Sequence, residues 1–197
     1  MANTMRIASQ FLLAVLVSGV SGYAVLAQTG YGGGANAPES RIRTDEEFVK
    51  DAASGGMAEV KLGQLAREKG TNDAVKEFGA RMVNDHSKAS EDLKAAAAQS
   101  SITVPDKMSA KEEATYNRLA KMSGAAFDRE YAREMVTDHV HDVAEFRREA
   151  LDSRNQAVQN FASQTLPTLQ QHLKEARAME KAVNTRESAS SKAGGAY

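Results

Sequence analysis

The segment AVKEF at residues 74–78 returns as AVQNF at residues 157–161, and the same spacing of 83 residues separates Phe48 from Tyr131. The chain therefore contains one repeated unit twice, and each copy covers two helical stretches. Each copy is predicted to fold as a helical hairpin, because the apolar stripe of one helix has to be buried against another helix. Two such hairpins predict a four-helix bundle.

The spacing of apolar residues gives the individual elements. Between about residues 44 and 183 they recur at intervals of three and four, which indicates helices. Thr44 with Glu47 forms a capping-box pattern, Gly70 is typical of a helix end, and Pro167 is expected to kink the last helix. The first predicted helix is Asp45–Lys69, and the second is capped by Thr71 or Asn72 and ends at about Ala98. A short helix from Ser109 to Met122 follows, then Ala125–Asp152 and a last helix from Ser153 to Val183.

Connection lengths predict the topology. The turn inside each hairpin is short, whereas about residues 99–124 join the two hairpins. A segment of that length can cross the bundle lengthwise, as in ferritin-like proteins. The predicted fold class is therefore all-α: a ferritin-like four-helix bundle built from two repeated helical hairpins joined by a long crossover with a short helix.

The two ends of the chain differ from its centre. Residues 1–27 combine Arg6, an apolar run and small residues before Ala27, which is typical of a cleaved secretory signal peptide. An uncleaved membrane anchor is the alternative. Residues 28–43 are predicted to be a flexible leader, 44–183 the bundle, and 184–197 a disordered tail. We expect a periplasmic or secreted protein with no membrane span after signal cleavage.

Composition excludes several functions. The 25 basic and 26 acidic residues are interspersed, which argues against a nucleic-acid partner. The sequence has no Cys, and no glycine-rich phosphate loop or nucleophile loop is recognisable, so hydrolase and nucleotide-binding activities are not indicated. The sequence leaves open whether the protein is an enzyme, and it favours a role without catalysis. A protein partner or a homodimer remains compatible with the sequence.

Three of the four histidines are predicted to face the interior. His86 and His139 each follow the phrase Met-Val-x-Asp, and with His172 they lie within the apolar stripes of their helices when residues advance by about 100°. Glu59 lies within the stripe of the first helix. All four residues are ten or more positions from their helix ends, so they should meet near the middle of the bundle.

Two interpretations of these buried groups remain open, since burying them without partners costs several kcal/mol. One is a polar layer in which carboxylates accept hydrogen bonds from the imidazoles and fix helix register. The other is a site for one transition-metal ion, with imidazole nitrogen and carboxylate oxygen ligands. The candidate metal ligands are Glu59, His86, His139 and His172, and the acids expected to orient them are Asp85, Asp138 and Asp142. A copper site through the row Met57, Met82, Met135 and Met179 is disfavoured, because Met at helical spacing usually fills a core.

The segments FVKDAASGGMAEVKLGQLA, VKEFGARMVNDHSKASEDL and FDREYAREMVTDHVHDVAEF together resemble an exported bacterial ferritin-like family named only as domain of unknown function 4142. The resemblance covers about Asp45–Lys181. It implies a four-helix bundle and an exported location, and it implies no settled activity.

The chain departs from the carboxylate-bridged di-iron members of the ferritin-like superfamily. Those members carry Glu-x-x-His on two helices, whereas Val83, Val136 and Leu169 stand three residues before the inward histidines. A di-iron oxidase is therefore not expected. The sequence predicts an exported bundle of uncharacterised activity with one transition-metal ion at its centre, or alternatively a metal-free envelope stress or protein-interaction module with a structural polar core.

Overall fold

The computed structural model describes residues 44–193, with side chains described as far as residue 185, and this part of the chain forms five helices and no strand. The all-α fold is confirmed. The predicted signal peptide and leader lie outside the described residues. The helices are α1 (Asp45–Lys69), α2 (Asp73–Gln99), α3 (Ala110–Ala120), α4 (Gly124–Asp152) and α5 (Gln156–Ala193).

Side-chain caps begin α1, α2 and α5, and the first two lie where the sequence predicts them. Thr44 Oγ1 accepts a hydrogen bond from the Glu47 main chain at 3.2 Å, and the Glu47 carboxylate accepts one from the Thr44 main chain at 3.0 Å. Asn72 caps α2 through its Oδ1, which accepts from the Ala74 N–H at 3.0 Å. Asn155 makes the equivalent contact at the start of α5, with the Ala157 N–H at 3.0 Å. Such caps satisfy N–H groups that have no partner within the helix.

Helix α5 extends further than the sequence predicts. Its backbone continues through Ala193, where residues 184–197 were expected to form a disordered tail. The segment after Val183 contains Ala, Ser, Lys, Arg and Glu and no Gly or Pro before Gly194, so nothing in it stops a helix. Residues 194–197 lie outside the described residues.

Two apolar clusters fill the bundle, one toward each end. The first contains the end of α1, the start of α2, the start of α4 and the end of α5, with Leu119 of α3. The second contains the start of α1, the end of α2, the end of α4 and the start of α5. Helices α2 and α4 therefore run in the same direction, and the crossover returns the chain along the bundle, as predicted. No helix of the described part is both long and apolar enough to cross a membrane.

A buried carboxylate fixes the second hairpin against the first. Asp128 near the start of α4 is 3% exposed. It accepts hydrogen bonds from the main-chain N–H groups of Thr71 and Asn72, at 3.0 and 2.9 Å, and from the Thr71 hydroxyl at 2.5 Å. These contacts set the height of α4 relative to the α1–α2 turn. The side chains at the middle of the bundle are aligned in consequence.

Candidate metal centre

A polar layer separates the two apolar clusters. On each of the four long helices one polar side chain lies between residues of the first cluster and residues of the second: Glu59 on α1, His86 on α2, His139 on α4 and His172 on α5. Their exposed fractions are 3%, 6%, 0% and 1%, respectively. The structure thus brings together the four residues that the sequence named as candidate ligands.

The three imidazoles converge. One ring nitrogen from each of His86, His139 and His172 lies within 4.8 Å of the others. The ring centroids are separated by 5.3 Å for His139 and His172, 5.4 Å for His86 and His172, and 5.9 Å for His86 and His139. Three helices therefore direct their histidines at one point.

One nitrogen of each ring is held by a neighbouring group. His139 Nδ1 donates to the Met135 carbonyl oxygen, four residues earlier on α4, at 2.8 Å. His172 Nε2 donates to Asp85 Oδ2 at 2.8 Å. His86 Nδ1 lies 2.8 Å from Glu59 Oε2. Each ring is thereby fixed in orientation.

The second nitrogen of each ring is buried and has no hydrogen-bond partner among the described residues: His86 Nε2, His139 Nε2 and His172 Nδ1. A carbonyl oxygen only accepts, so the proton of neutral His139 is on Nδ1 and its Nε2 carries a bare lone pair. The carboxylate of Asp85 also only accepts, so the proton of neutral His172 is on Nε2 and its Nδ1 carries the lone pair. Lone pairs cannot hydrogen-bond to one another, so His139 Nε2 and His172 Nδ1 can be bridged only by a cation or by a donor such as the N–H of His86.

Glu59 completes this set with an oxygen. Its Oε1 has no hydrogen-bond partner among the described side chains and lies 3.4 Å from His139 Nε2. Two ligand atoms at about 2.0–2.1 Å from a tetrahedral ion are roughly 3.3–3.4 Å apart. The carboxylate oxygen and the imidazole nitrogen are thus at the separation expected of two ligands of one ion.

Burial controls the charge of the centre. It raises the pKa of Glu59 to about 8, although nearby His139 opposes the rise. It lowers the pKa of His86 to about 4, and it also lowers the pKa values of His139 and His172. Near neutral pH the metal-free centre therefore holds neutral imidazoles and a protonated Glu59, which keeps uncompensated charge out of the interior.

The acids predicted to orient the imidazoles fall into two groups. Asp85 holds His172, as described above. Asp138 and Asp142 form no hydrogen bond with any of the three buried imidazoles within the described part of the chain, and they line a cavity of about 270 Å³ beside the centre. Burial, followed by the charge of Glu59, raises the pKa of Asp138 to about 8.

Other residues of this region were not anticipated from the sequence. The Met135 carbonyl orients His139, and a main-chain partner of this kind has no side-chain signal. Phe78 places its ring edge-on to His139 and His172, with centroid distances of 6.0 and 6.3 Å, and so walls one side of the centre. Glu112, in the first turn of α3, also lines the cavity. The prediction that Met82, Met135 and Met179 fill the core agrees with their place in the first apolar cluster.

The donor set differs from that of carboxylate-bridged di-iron proteins. Its convergent ligand atoms are three imidazole nitrogens, with Glu59 Oε1 close to one of them, whereas a di-iron centre uses several bridging carboxylates. A set with three nitrogens suits a single zinc, copper, nickel, cobalt or iron ion better than magnesium or calcium, which prefer oxygen.

Comparison with known proteins supports the fold. The family model described as Domain of unknown function (DUF4142) matches residues 33–179, which is most of the chain. No curated protein matches. Among solved structures, the chain is similar to a DUF305 fragment from Deinococcus radiodurans, with a TM-score of 0.59 and 17% identity over 72% of this chain and 95% of that chain. A likeness at this identity shows the helical-bundle fold alone.

Proposed function

The chain belongs to the DUF4142 family, a domain of unknown function, and we propose that it binds one divalent transition-metal ion between His86, His139 and His172. The observation that carries the proposal is the convergence of three buried ring nitrogens that have no hydrogen-bond partner in the described structure. Leaving each unpartnered costs about 1–3 kcal/mol. A bound cation would remove that cost for all of them at once.

The groups around the rings support the same proposal. Metal-bound histidines usually donate their other N–H to a carboxylate or a carbonyl, which fixes the tautomer and makes the ligand more basic. His139 and His172 have such partners in Met135 and Asp85. A purely structural polar layer would not require both of these rings to turn their lone pairs to the same point.

Glu59 would serve the ion in two ways. In the metal-bound state we expect it to be ionised, with Oε1 on the ion and Oε2 accepting from His86 Nδ1. The nitrogens lie within 4.8 Å of one another, so the rings would move inward by less than about 1 Å each to reach bond lengths of about 2.0–2.1 Å. Loss of the Glu59 proton would make metal affinity increase with pH.

Metal analysis of the purified protein tests the proposal. Apo protein prepared with a chelator would be incubated with Zn²⁺, dialysed and analysed for metal content. We expect about one ion per chain in the wild type, and at least ~100-fold weaker binding in His86→Ala and His139→Ala. His141→Ala is the matched control, because the His141 side chain is 63% exposed and outside the cluster. Circular dichroism would check that each variant is folded.

The same experiment separates the proposal from the metal-free alternative. If the wild type retains no stoichiometric ion after reconstitution with zinc, copper, nickel, cobalt and iron, the metal proposal is wrong. The histidine layer would then be a structural core, and an envelope stress or protein-interaction role would become the better account of this bundle.

Export is the second part of the proposed function. Residues 1–27 have the pattern of a secretory signal peptide, and cleavage near Ala27 would release the bundle into the periplasm or the medium. Cell fractionation with N-terminal sequencing of the mature protein tests this part. A chain found in the cytoplasm with its first residues intact would contradict it.

A further inference from the structure

The cavity beside the histidine centre is enclosed by all four long helices and the start of α3. Its volume is about 270 Å³, and its wall includes Glu59 and His86 of the centre. Ser109, the N-cap of α3, donates its main-chain N–H to Ser54 Oγ at 2.8 Å, which anchors the crossover to α1 at this point. The cavity is therefore bounded by the crossover on one side and by the histidine centre on another.

Acidic side chains dominate the cavity wall. Besides Glu59 and Asp138, whose raised pKa values keep them protonated near neutral pH, the cavity wall has the carboxylates of Asp51, Glu112, Asp142 and Glu145, whereas the only full positive charge among its lining residues is Lys111. His141 also lines it, close to Glu145 and Asp142. Clefts lined by one sign of charge concentrate counter-ions and accelerate their association. This cavity favours cations.

The cavity and the histidine centre share Glu59. Glu59 is only 3% exposed, and its Oε1 has no hydrogen-bond partner among the described residues. The same oxygen lies 3.4 Å from His139 Nε2, while Glu59 itself forms part of the cavity wall. One carboxylate is thus placed to contact an ion in the cavity and an ion among the histidines.

We propose that this acidic cavity is the access route by which a hydrated divalent cation reaches the histidines, and that Glu59 is the carboxylate that passes the ion to the ring nitrogens. The inference rests on the proposed metal site and adds how that site is loaded. The cavity carboxylates are not themselves a second centre: no three of them meet as the histidines do in the described residues. These carboxylates attract the ion, and the ring nitrogens of the histidines bind it.

Two glycines keep the route open. Gly55 and Gly56 line the cavity, and a Cβ atom built on Gly55 would meet nothing within 4 Å. In the repeat of 83 residues, these positions correspond to Asp138 and His139 of the second hairpin. At Gly55 the first hairpin therefore has open space where the second has the Asp138 side chain, whereas a Cβ on Gly56 would contact Ser90 Oγ at 3.5 Å.

Filling this space tests the route. Stopped-flow mixing of apo protein with Co²⁺, followed by its visible absorption, would give association rates, and competition with a chelator would give dissociation rates. In Gly55→Leu we expect both rates to fall at least ~5-fold while Kd stays within about 2-fold, because a blocked path slows both directions equally. Gly55→Ala is the matched control, since one methyl group leaves most of the cavity open.

Removing charge gives an independent test. The double variant Asp51→Asn, Glu112→Gln should associate with Co²⁺ about 3- to 10-fold more slowly at low ionic strength, and the difference should shrink near 0.5 M salt, where charges are screened over about 4 Å. The control pair Glu68→Gln, Asp73→Asn removes the same charge from exposed positions outside the cavity. Its association rate should match the wild type.

The outcomes separate the two proposals. Association rates that are unchanged in both Gly55→Leu and the Asp51, Glu112 double variant would overturn the route and leave the metal site intact. A changed Kd with an unchanged association rate would also overturn it, because the cavity would then act on the bound ion. No binding of Co²⁺, zinc, copper, nickel or iron by the wild type would overturn the metal site and the route with it.

Discussion

Asp85 acts on the proposed ion without contacting it. Its carboxylate accepts a hydrogen bond from His172 Nε2 at 2.8 Å, although 39% of the Asp85 side chain is exposed. The bond leaves His172 Nδ1 as the bare nitrogen that faces the other rings. Asp85 therefore sets both the tautomer and the direction of one ligand.

Removing this carboxylate should weaken metal binding. We predict that Asp85→Ala raises the Kd for Zn²⁺ by about 10- to 100-fold, the usual effect of losing an outer partner of a metal ligand. Asp85→Asn should recover part of the loss, because its amide oxygen still accepts from His172. Chelator competition measures both values. Asp92→Ala is the control on the same helix, since Asp92 is paired with Lys88 at the surface, and an equal loss in that variant would contradict the role of Asp85.

The buried acids should make the metal-free protein less stable in mild alkali. Burial raises the pKa values of Glu59 and Asp138 to about 8, so the folded state keeps protons that the unfolded state has lost above about pH 4.5. Their contribution to stability is complete below their unfolded pKa values and is lost as pH rises toward 8. His86 has the opposite sign, since its pKa is lowered to about 4 and its contribution declines below about pH 6.5.

Between about pH 6.5 and 8 the two acids lose their protons in the folded state, and His141 acts in the same direction because its hydrogen bond with Asp142 raises its pKa. The buried histidines, whose pKa values are lowered, oppose this trend mainly at the lower end of the interval, where the unfolded chain still binds protons. We predict that the free energy of unfolding of the apo protein falls by about 1–3 kcal/mol over this interval. Urea denaturation in the presence of a chelator measures it. The double variant Glu59→Gln, Asp138→Asn should show a flatter profile, and a wild-type stability that increases over the same interval would refute the assignment.

For individual residues, the sequence predicts the direction of a side chain but not its hydrogen-bond partner. The helical rotation of about 100° per residue places His86, His139 and His172 inward, because direction depends only on position along a regular helix. It also suggested that Asp138 and Asp142 orient the imidazoles. Instead they line the cavity, since whether a flanking carboxylate meets a ring depends on rotamers and interhelical distance, which a single sequence does not encode.

The two helices of the first hairpin approach each other most closely at a pair of glycines. A Cβ atom on Gly79 would lie 2.7 Å from both the Ala66 Cβ and the Gly63 carbonyl oxygen, and one on Gly63 would lie 2.6 Å from the Gly79 carbonyl oxygen. These contacts involve main-chain atoms that cannot move aside without shifting a helix. Glycine is needed here for space, not for its backbone freedom.

Alanine substitutions at two helical glycines should therefore have opposite effects. We predict that Gly79→Ala destabilises the protein by about 1–3 kcal/mol, because α1 and α2 must separate. Gly55→Ala should stabilise it by about 0.5–1 kcal/mol, since the space there is open and alanine favours helix. Chemical denaturation measures both, and stabilisation by Gly79→Ala would contradict the close helix packing.

The start of a helix is predicted well where a capping residue marks it. Thr44, Asn72 and Ser109 cap their helices at the predicted starts, since capping depends on residues only two or three positions apart. The end of α5 is predicted less well. A run of small and charged residues is compatible with either helix or coil, and composition alone does not decide between them.

At the scale of the whole molecule, the proposed metal site is linked to folding. The three histidines and Glu59 come from the four long helices, and the polar layer that they form lies between two apolar clusters. The repeat and the crossover length predict this arrangement, because mid-helix residues meet at mid-bundle in either direction of the crossover. An ion bound there would connect both hairpins, so binding should oppose unfolding of the entire bundle.

Metal should therefore raise the melting temperature. With free ion at about 1,000 times Kd, the folded state gains about 4 kcal/mol, which corresponds to roughly 8–16 °C for a domain of this size. Differential scanning calorimetry with Zn²⁺ and with chelator measures the shift. His139→Ala should show little shift, whereas His141→Ala should show the full one; equal shifts in both would indicate binding elsewhere.

The most direct measurement is a crystal structure of the protein grown with Zn²⁺, with anomalous diffraction recorded at the zinc absorption edge. The account predicts one strong interior peak at about 2.0–2.1 Å from a ring nitrogen of each of His86, His139 and His172. Zinc found only at the surface, beside His141 or among exposed carboxylates, would contradict it.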